Sequence, residues 1–217
     1  MGGNRIAMKF AGQAGQGVES NGELLARTLA RGGLHLFGRK DYESRIRGGL
    51  NFYRIDVADQ PLFAHGTEIH LLLAQTVEAV EQFSGTLVPG GGIVYDETLD
   101  VDADALVQAG LRPMPAPLMK IAKEIGGRPV MAGAASVAVA AAVFGFPLEA
   151  LLDTLGRQFA KKGDEVVKAN RAVARAAYEY GTDNHAAAFG FELRALDDPP
   201  ERMLIDGNRA FAYGALV

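Results

Sequence analysis

Gly12-Gln-Ala-Gly-Gln-Gly17 and, further along the chain, Arg45 and Arg47 are the residues whose types and spacing point most directly to chemistry. Glycines between a strand-like run and a helical run let the backbone turn with several N–H groups unpaired at the mouth of the turn, where the helix dipole is positive. Such a turn is an anion site by geometry alone. Two arginines two residues apart project to the same side of an extended backbone, and their guanidinium forks can hold a phosphate or carboxylate bidentately. The implied chemistry is recognition of an anion, not proton transfer. Taken singly, each segment has a plainer alternative: a tight turn that binds nothing, and a solvated basic loop or a salt bridge to a partner subunit.

The elements that must position these residues follow from periodicity. Arg5-Ile-Ala-Met-Lys-Phe-Ala11 has strand length, and Val18 to Arg31 carries Leu24, Leu25, Thr28 and Leu29 at helical spacing before Gly32-Gly33 ends the helix. The dinucleotide fingerprint needs glycine at its first, third and sixth positions; here these are Gly12, Ala14 and Gly17, so the middle glycine is missing. The acidic residue expected after the next strand is also absent, because Leu34 to Gly38 leads into Arg39-Lys40, a basic pair that suits a phosphate better than a ribose. Leu50 to Val57 is strand-like with Tyr53, Ile55 and Val57 on one face, and Ile69 to Ala74 reads as a central strand covered on both faces. Gly90-Gly-Gly92 reads as a turn into a short strand, Ile93-Val-Tyr95. Pro113, Pro115 and Pro117 read as a stiff connection into a helix near Leu118. Ala132 to Phe144, Leu148 to Phe159 and Asp164 to Tyr180 are three consecutive helices. The alternation predicts an α/β fold, a three-layer Rossmann-like sandwich with a helical C-terminal portion.

Composition narrows the function classes. The chain has 217 residues, 48% hydrophobic and 22% charged, with a net charge of -4, and no Lys/Arg run suggests a general nucleic-acid binder. It has no cysteine, hence no disulfide, no thiolate nucleophile and no iron–sulfur ligand of its own. Met1-Gly-Gly-Asn-Arg5 has no apolar signal core, and the stretch Pro129 to Pro147, rich in Ala and Gly, falls short of a spanning helix; the expected location is cytoplasmic. His35, His65, His70 and His185 lack metal-ligand spacing, and His70 reads as a satisfied core or edge histidine. Asp100, Asp102 and Asp104 lack the glycine and glutamate of a calcium loop and read as a helix-start cluster. Asp96-Glu97 reads as a solvated acidic turn. Lys161-Lys162 reads as a solvated helix end or a surface facing a partner.

The turn Gly12 to Val18, the run Ser44-Arg-Ile-Arg-Gly-Gly49, and the block Phe159-Ala-Lys-Lys-Gly163 with Asn170 and Gly181 together resemble the gamma domain of 2-oxoacid:ferredoxin oxidoreductases over about the first 180 residues. Met131 and Ser136-Val137 depart from the Asn and Gly-Ala of the family pattern. The tail Met203 to Val217 resembles the start of the alpha domain in the fused gamma-alpha subunit of 2-oxoglutarate enzymes. The resemblance implies residues 1–181 as a gamma domain, 182–202 as a linker and 203–217 as the truncated start of an alpha, thiamine diphosphate-binding domain.

That resemblance also implies a reaction and partners. The assembled enzyme would convert a 2-oxoacid, with 2-oxoglutarate the substrate implied, to its acyl-CoA and reduce ferredoxin. Thiamine diphosphate, Mg and [4Fe-4S] would lie on the alpha and beta portions of a hetero-oligomer, and the isolated chain would be inactive. The gamma share would be to hold coenzyme A through Gly15, Gln16, Gly17, Asn21, Arg45 and Arg47. The alternatives from other classes are a non-catalytic α/β nucleotide-binding or regulatory module and a subunit-interface scaffold without a ligand.

Overall fold

Helices cover both faces of one six-stranded sheet; strands and helices alternate along the chain except for three successive strands between residues 35 and 74 and a run of helices after residue 117. The structure, a computed structural model, describes residues 4–42, 49–200 and 202–216. In chain order the elements are β1 (Arg5–Gln13), α1 (Val18–Arg31), β2 (His35–Asp41), β3 (Leu50–Ala58), β4 (Ile69–Ala74), α2 (Val77–Phe83) and β5 (Leu87–Asp96). They continue with α3 (Ala103–Gln108), β6 (Arg112–Ala116), α4 (Leu118–Glu124), α5 (Ala132–Val143), α6 (Leu148–Phe159), α7 (Asp164–Asn184) and α8 (Gly207–Gly214). The strand order is β2-β3-β1-β4-β5-β6; β1, β4, β5 and β6 run parallel, while β3 is antiparallel to both β1 and β2.

Side chains alternate between two cores. Ile6, Met8 and Phe10 of β1 and Leu71 and Leu73 of β4 meet α1, α5, α6 and α7, whereas Ala11 and Leu72 face α2 and α3. β4 is therefore buried on both faces, as its unbroken apolar run predicts. α5 is almost wholly buried, and Gly181 of α7 lies so close to it that a Cβ there would stand 3.0 Å from the Ala142 Cβ. A side chain at 181 would have to push the α5 backbone at Val139 back by a few tenths of an ångström. Helix starts also follow the sequence: Thr76 caps α2, and Asp102 caps α3 by accepting from the Ala105 N–H, the helix-start role read for that acidic cluster.

Two readings need correction. Arg112–Ala116 is the edge strand β6, not a connection, despite two prolines. Pro113 and Pro115 are two residues apart, so their nitrogens share one side, and on an edge strand that side can face away from the sheet. The Pro115 carbonyl is met there by His185 Nε2 at 2.8 Å and by the Tyr180 hydroxyl at 3.3 Å. The glycine run also lies inside a strand: β5 begins at Leu87, and Gly91 is required there because a Cβ would stand 2.8 Å from the Val88 carbonyl oxygen.

Beyond the last long helix, residues 189–196 pack back onto the domain, with Leu193 fully buried and bonded through its N–H to Phe144 O. The α8 helix is exposed throughout, with Phe211 83% accessible, and Leu216 beyond it is 84% accessible.

A polar cluster holds the β3–β4 connection to the sheet. Asp56 is fully buried and accepts from Arg54 Nε at 2.7 Å and the Gly66 N–H at 3.1 Å, with His65 Nδ1 at 2.7 Å. Burial alone would raise its pKa, but the bonds from Arg54, His65 and Gly66 outweigh it and hold the carboxyl below its ordinary value. The stability this contributes is present above the ordinary carboxylate range and lost as pH falls through the folded-state pKa. Asp56→Asn should cost about 3 kcal/mol at neutral pH. In urea denaturation the gap to the parent chain should narrow as the solution is acidified.

Gly22 gives a second expectation. An alanine at an open helical position stabilises, by about 1 kcal/mol. At Gly22 the added Cβ would stand 1.8 Å from Tyr53 Cδ1. Gly22→Ala should therefore lower stability by about 1–3 kcal/mol. Gly190→Ala, in open space, should leave the thermal midpoint nearly unchanged.

Candidate functional site

The β1–α1 turn is built on two glycines in left-handed backbone, Gly15 at φ 89° and Gly17 at φ 80°, and Gly17 caps the helix. Ala14 needs no such conformation, since no non-glycine residue described has positive φ. This explains how the turn forms with alanine at the middle position of the dinucleotide fingerprint. Gly12 is required for another reason: a Cβ there would come within 2.8 Å of Gln75 Cβ, an atom fixed to its backbone. Gln16 folds back and accepts from the Gln13 N–H at 2.7 Å, stiffening the turn.

No side chain caps α1. The Asn21 N–H bonds Gly17 O at 2.9 Å, so the N–H groups of Val18, Glu19 and Ser20 precede the first intrahelical bond and point out of the helix end. Ser20 lines a cavity of about 560 Å3 that reaches from Gly15, Gln16, Gly17 and Asn21 across Gln75 and Asp96 to α4, α5, Phe159 and Lys162, whereas Val18 and Glu19 border a second opening of about 320 Å3 beside Lys40 and Tyr42. The cavity lies at the topological switch point. β1 and β4 are parallel neighbours, yet the chain leaves β1 for α1 on one face and β4 for α2 on the other. Ligands of α/β proteins bind in such a crevice.

Its polarity is uneven. Leu24, Leu118, Pro129, Val130 and Phe159 give an apolar wall, while the α1 N-terminus and Lys162 provide positive potential. Asp96 is the one carboxylate among the described lining residues, and it is already engaged: its Oδ2 accepts from the Met119 N–H at 2.6 Å and its Oδ1 from the Thr98 N–H at 3.1 Å. Asp96 therefore caps α4 from the end of β5, a structural role in place of the solvated turn expected.

The sequence-predicted residues divide clearly. Gly15, Gln16, Gly17 and Asn21 meet at the cavity mouth, and Asn21 fills a notch on α5, where a Cβ at Gly133 would stand 2.0 Å from its Nδ2. Arg45 and Arg47 lie outside the described residues. The residues flanking them reach the turn: the Tyr42 hydroxyl donates to Glu19 Oε2 at 3.0 Å, and Gly49 O accepts from the Ala14 N–H at 3.3 Å.

The basic pair Arg39-Lys40 does not act together. Alternation sends the two to opposite faces of β2; Arg39 pairs with Asp41 at 2.8 Å, and Lys40 with Glu19 and Glu23 of α1. Burial opposes the charge of Lys40, but the two glutamates more than compensate and raise its pKa. His70 accepts from the Ala7 N–H and packs edge-on to Phe191, the satisfied role read for it, and burial lowers its pKa.

Gln75 was not among the residues singled out in the sequence. Its Oε1 is buried without a hydrogen-bond partner, and it follows β4 directly at the cavity floor. The end of a strand adjacent to the glycine strand is where the switch-point rule directs attention. Among the described residues no group of three or more His, Cys, Asp or Glu could hold a metal ion, and no helix is long and apolar enough to cross a membrane.

Comparison with known proteins agrees with this architecture. The family model described as pyruvate ferredoxin/flavodoxin oxidoreductase matches residues 7–180. The chain is 29% identical over 77% of its length to 2-oxoacid:ferredoxin oxidoreductase 2, subunit alpha, of Aeropyrum pernix, covering 26% of that protein. It is 24% identical over 98% of its length to 2-oxoglutarate oxidoreductase subunit KorA of Mycobacterium tuberculosis, covering 36% of it. The match thus spans roughly an eighth to two-fifths of the length of such curated relatives.

Among solved structures, the 2-oxoglutarate:ferredoxin oxidoreductase from Magnetococcus marinus with 2-oxoglutarate, coenzyme A and succinyl-CoA bound superposes with a TM-score of 0.88 at 25% identity. That match covers 98% of this chain and 37% of the other. The gamma subunit of a keto/oxoacid ferredoxin oxidoreductase from Geobacter sulfurreducens shares the fold with a TM-score of 0.70 at 22% identity, covering 82% of this chain and 97% of that subunit. The open glycine turn at the switch point and the sequence match over 7–180 lead to one conclusion: this chain belongs to the pyruvate ferredoxin/flavodoxin oxidoreductase family.

Proposed function

We propose that the chain is the gamma portion of a 2-oxoacid:ferredoxin oxidoreductase, structural in the main and facing coenzyme A, in an enzyme that acts on 2-oxoglutarate. The observation that carries this reading is the uncapped α1 N-terminus opening onto the 560 Å3 cavity at the switch point. Coenzyme A supplies the thiol that accepts the acyl group. Its pyrophosphate and 3′-phosphate match the turn at Gly15, Gln16 and Gly17, which leads into the open N–H groups of the first turn of α1, and the arginines of the next segment, Arg45 and Arg47. The apolar wall and the unpartnered Gln75 Oε1 suit an uncharged, amide-bearing arm. Asn21 would fix the first turn of the helix against α5.

Thiamine diphosphate, Mg and [4Fe-4S] are assigned to alpha and beta portions of a cytoplasmic hetero-oligomer that reduces ferredoxin; with no cysteine, this chain offers a cluster no thiolate. We further infer that the gamma domain extends to residue 181, that 182–202 connects it, and that 203–217 begins an alpha domain. The exposure of Phe211 and Leu216 on and after α8 supports a partner portion covering them.

In the assembled enzyme, Arg45→Ala with Arg47→Ala should raise KM for coenzyme A about tenfold or more, with KM for the oxoacid changed less than about twofold. Equal effects on both substrates would contradict the assignment. Saturable binding of another nucleotide in preference to coenzyme A, measured by calorimetry on the chain, would favour a regulatory module instead.

A further inference from the structure

Lys9 is the most unusual charged residue outside the site. It lies on the β1 face turned away from α1, and the sheet register places it opposite Arg54 of β3, which in turn lies opposite Arg39 of β2. Three cations therefore stand in one cross-strand row, an arrangement that repels itself. Arg54 is answered by Asp56 and Arg39 by Asp41, but among the described residues no carboxylate forms an ion pair with Lys9. Glu78 and Glu81 of the overlying α2 do not pair with it either. Its ammonium instead sits 3.8 Å from the ring centre of Phe83 and 4.6 Å from that of Phe52, with 8% of the residue exposed.

Ring faces stabilise a cation only modestly. Burial, then Arg54 and Arg39, oppose the charge, while Asp41 favours it weakly, so the pKa falls to about 8. An amine so placed calls for an electrophile that is small and uncharged enough to enter, and whose adduct is an anion that the guanidinium row can hold.

We propose that Lys9 is a carbamylation site for carbon dioxide. The lone pair of the neutral amine forms the N–C bond, one C=O electron pair moves to oxygen, and the amine proton leaves to water, giving R–NH–COO− and H+. The adduct turns a row of three positive charges into a negative group beside Arg54 and Arg39, which can then bond it with charge assistance. This inference stands apart from the coenzyme A assignment and uses none of its residues.

The test equilibrates the full 217-residue chain with 13C-labelled bicarbonate and carbon dioxide near pH 8, traps carbamates with triethyloxonium and locates them by peptide mass spectrometry. The expected result is a labelled adduct on Lys9 severalfold above that on the exposed Lys168. Arg39→Ala should lower it a few-fold, because removing that guanidinium both returns the amine towards its charged form and withdraws support from the adduct. Lys9→Arg should abolish it with the circular dichroism spectrum unchanged. Labelling of Lys9 no greater than that of Lys168, or labelling that Arg39→Ala leaves unaltered, would overturn the proposal.

Discussion

The first turn of α1 presents backbone N–H groups that the helix itself cannot satisfy, and the placement of that turn governs what the domain can do. Two glycines at φ 89° and 80° bring the chain from β1 into α1 without a capping side chain. A serine or aspartate cap would have satisfied one of those donors internally and added charge of the wrong sign for an anion. Leaving them open costs local stability, and the surrounding structure offsets it: Gln16 ties the turn to Gln13, Asn21 wedges against Gly133, and Gly22 lets Tyr53 pack flat on the helix.

The sheet makes the same turn a site by topology. Because β1 and β4 send their helices to opposite faces, the crevice between their ends stays open while both faces are covered. The helical C-terminal portion then closes the far wall: α5 and the α6–α7 junction bring Phe159 and Lys162 to within reach of a ligand lying on the turn. Close packing of α5 against α7 at Gly181 supports that wall, so residues distant from the cavity set its shape.

Much of this was legible from residue spacing. β1, the glycine turn and α1 were placed within two residues, and Ile69 to Ala74 was read as a strand buried on both faces because an apolar run of that length admits little else. The fold class followed from the order of such segments, and the family from the resemblance carried by Gly12 to Val18, Ser44 to Gly49 and the Phe159 to Gly163 block. Two kinds of error have physical causes. Pro113 and Pro115 suppressed a strand assignment because proline removes ladder donors, a cost that vanishes on an edge whose spare side faces outward. Arg39-Lys40 looked like a phosphate grip because pattern reading cannot see Asp41, Glu19 and Glu23 neutralising each residue from a different face. Gln75 was missed because a glutamine after a strand carries no periodic signal; only the parallel pairing of β1 with β4 brings it to Gly12.

The central claim is that coenzyme A lies on the open N-terminus of α1. Amide hydrogen exchange of the assembled enzyme, with and without coenzyme A, addresses it most directly, because the N–H groups in question are the exchanging groups themselves. Slowed exchange is expected only in peptides covering Gly15 to Asn21 and the segment bearing Arg45 and Arg47. Protection elsewhere in the complex, with Gly15 to Asn21 exchanging as in the free enzyme, would contradict it.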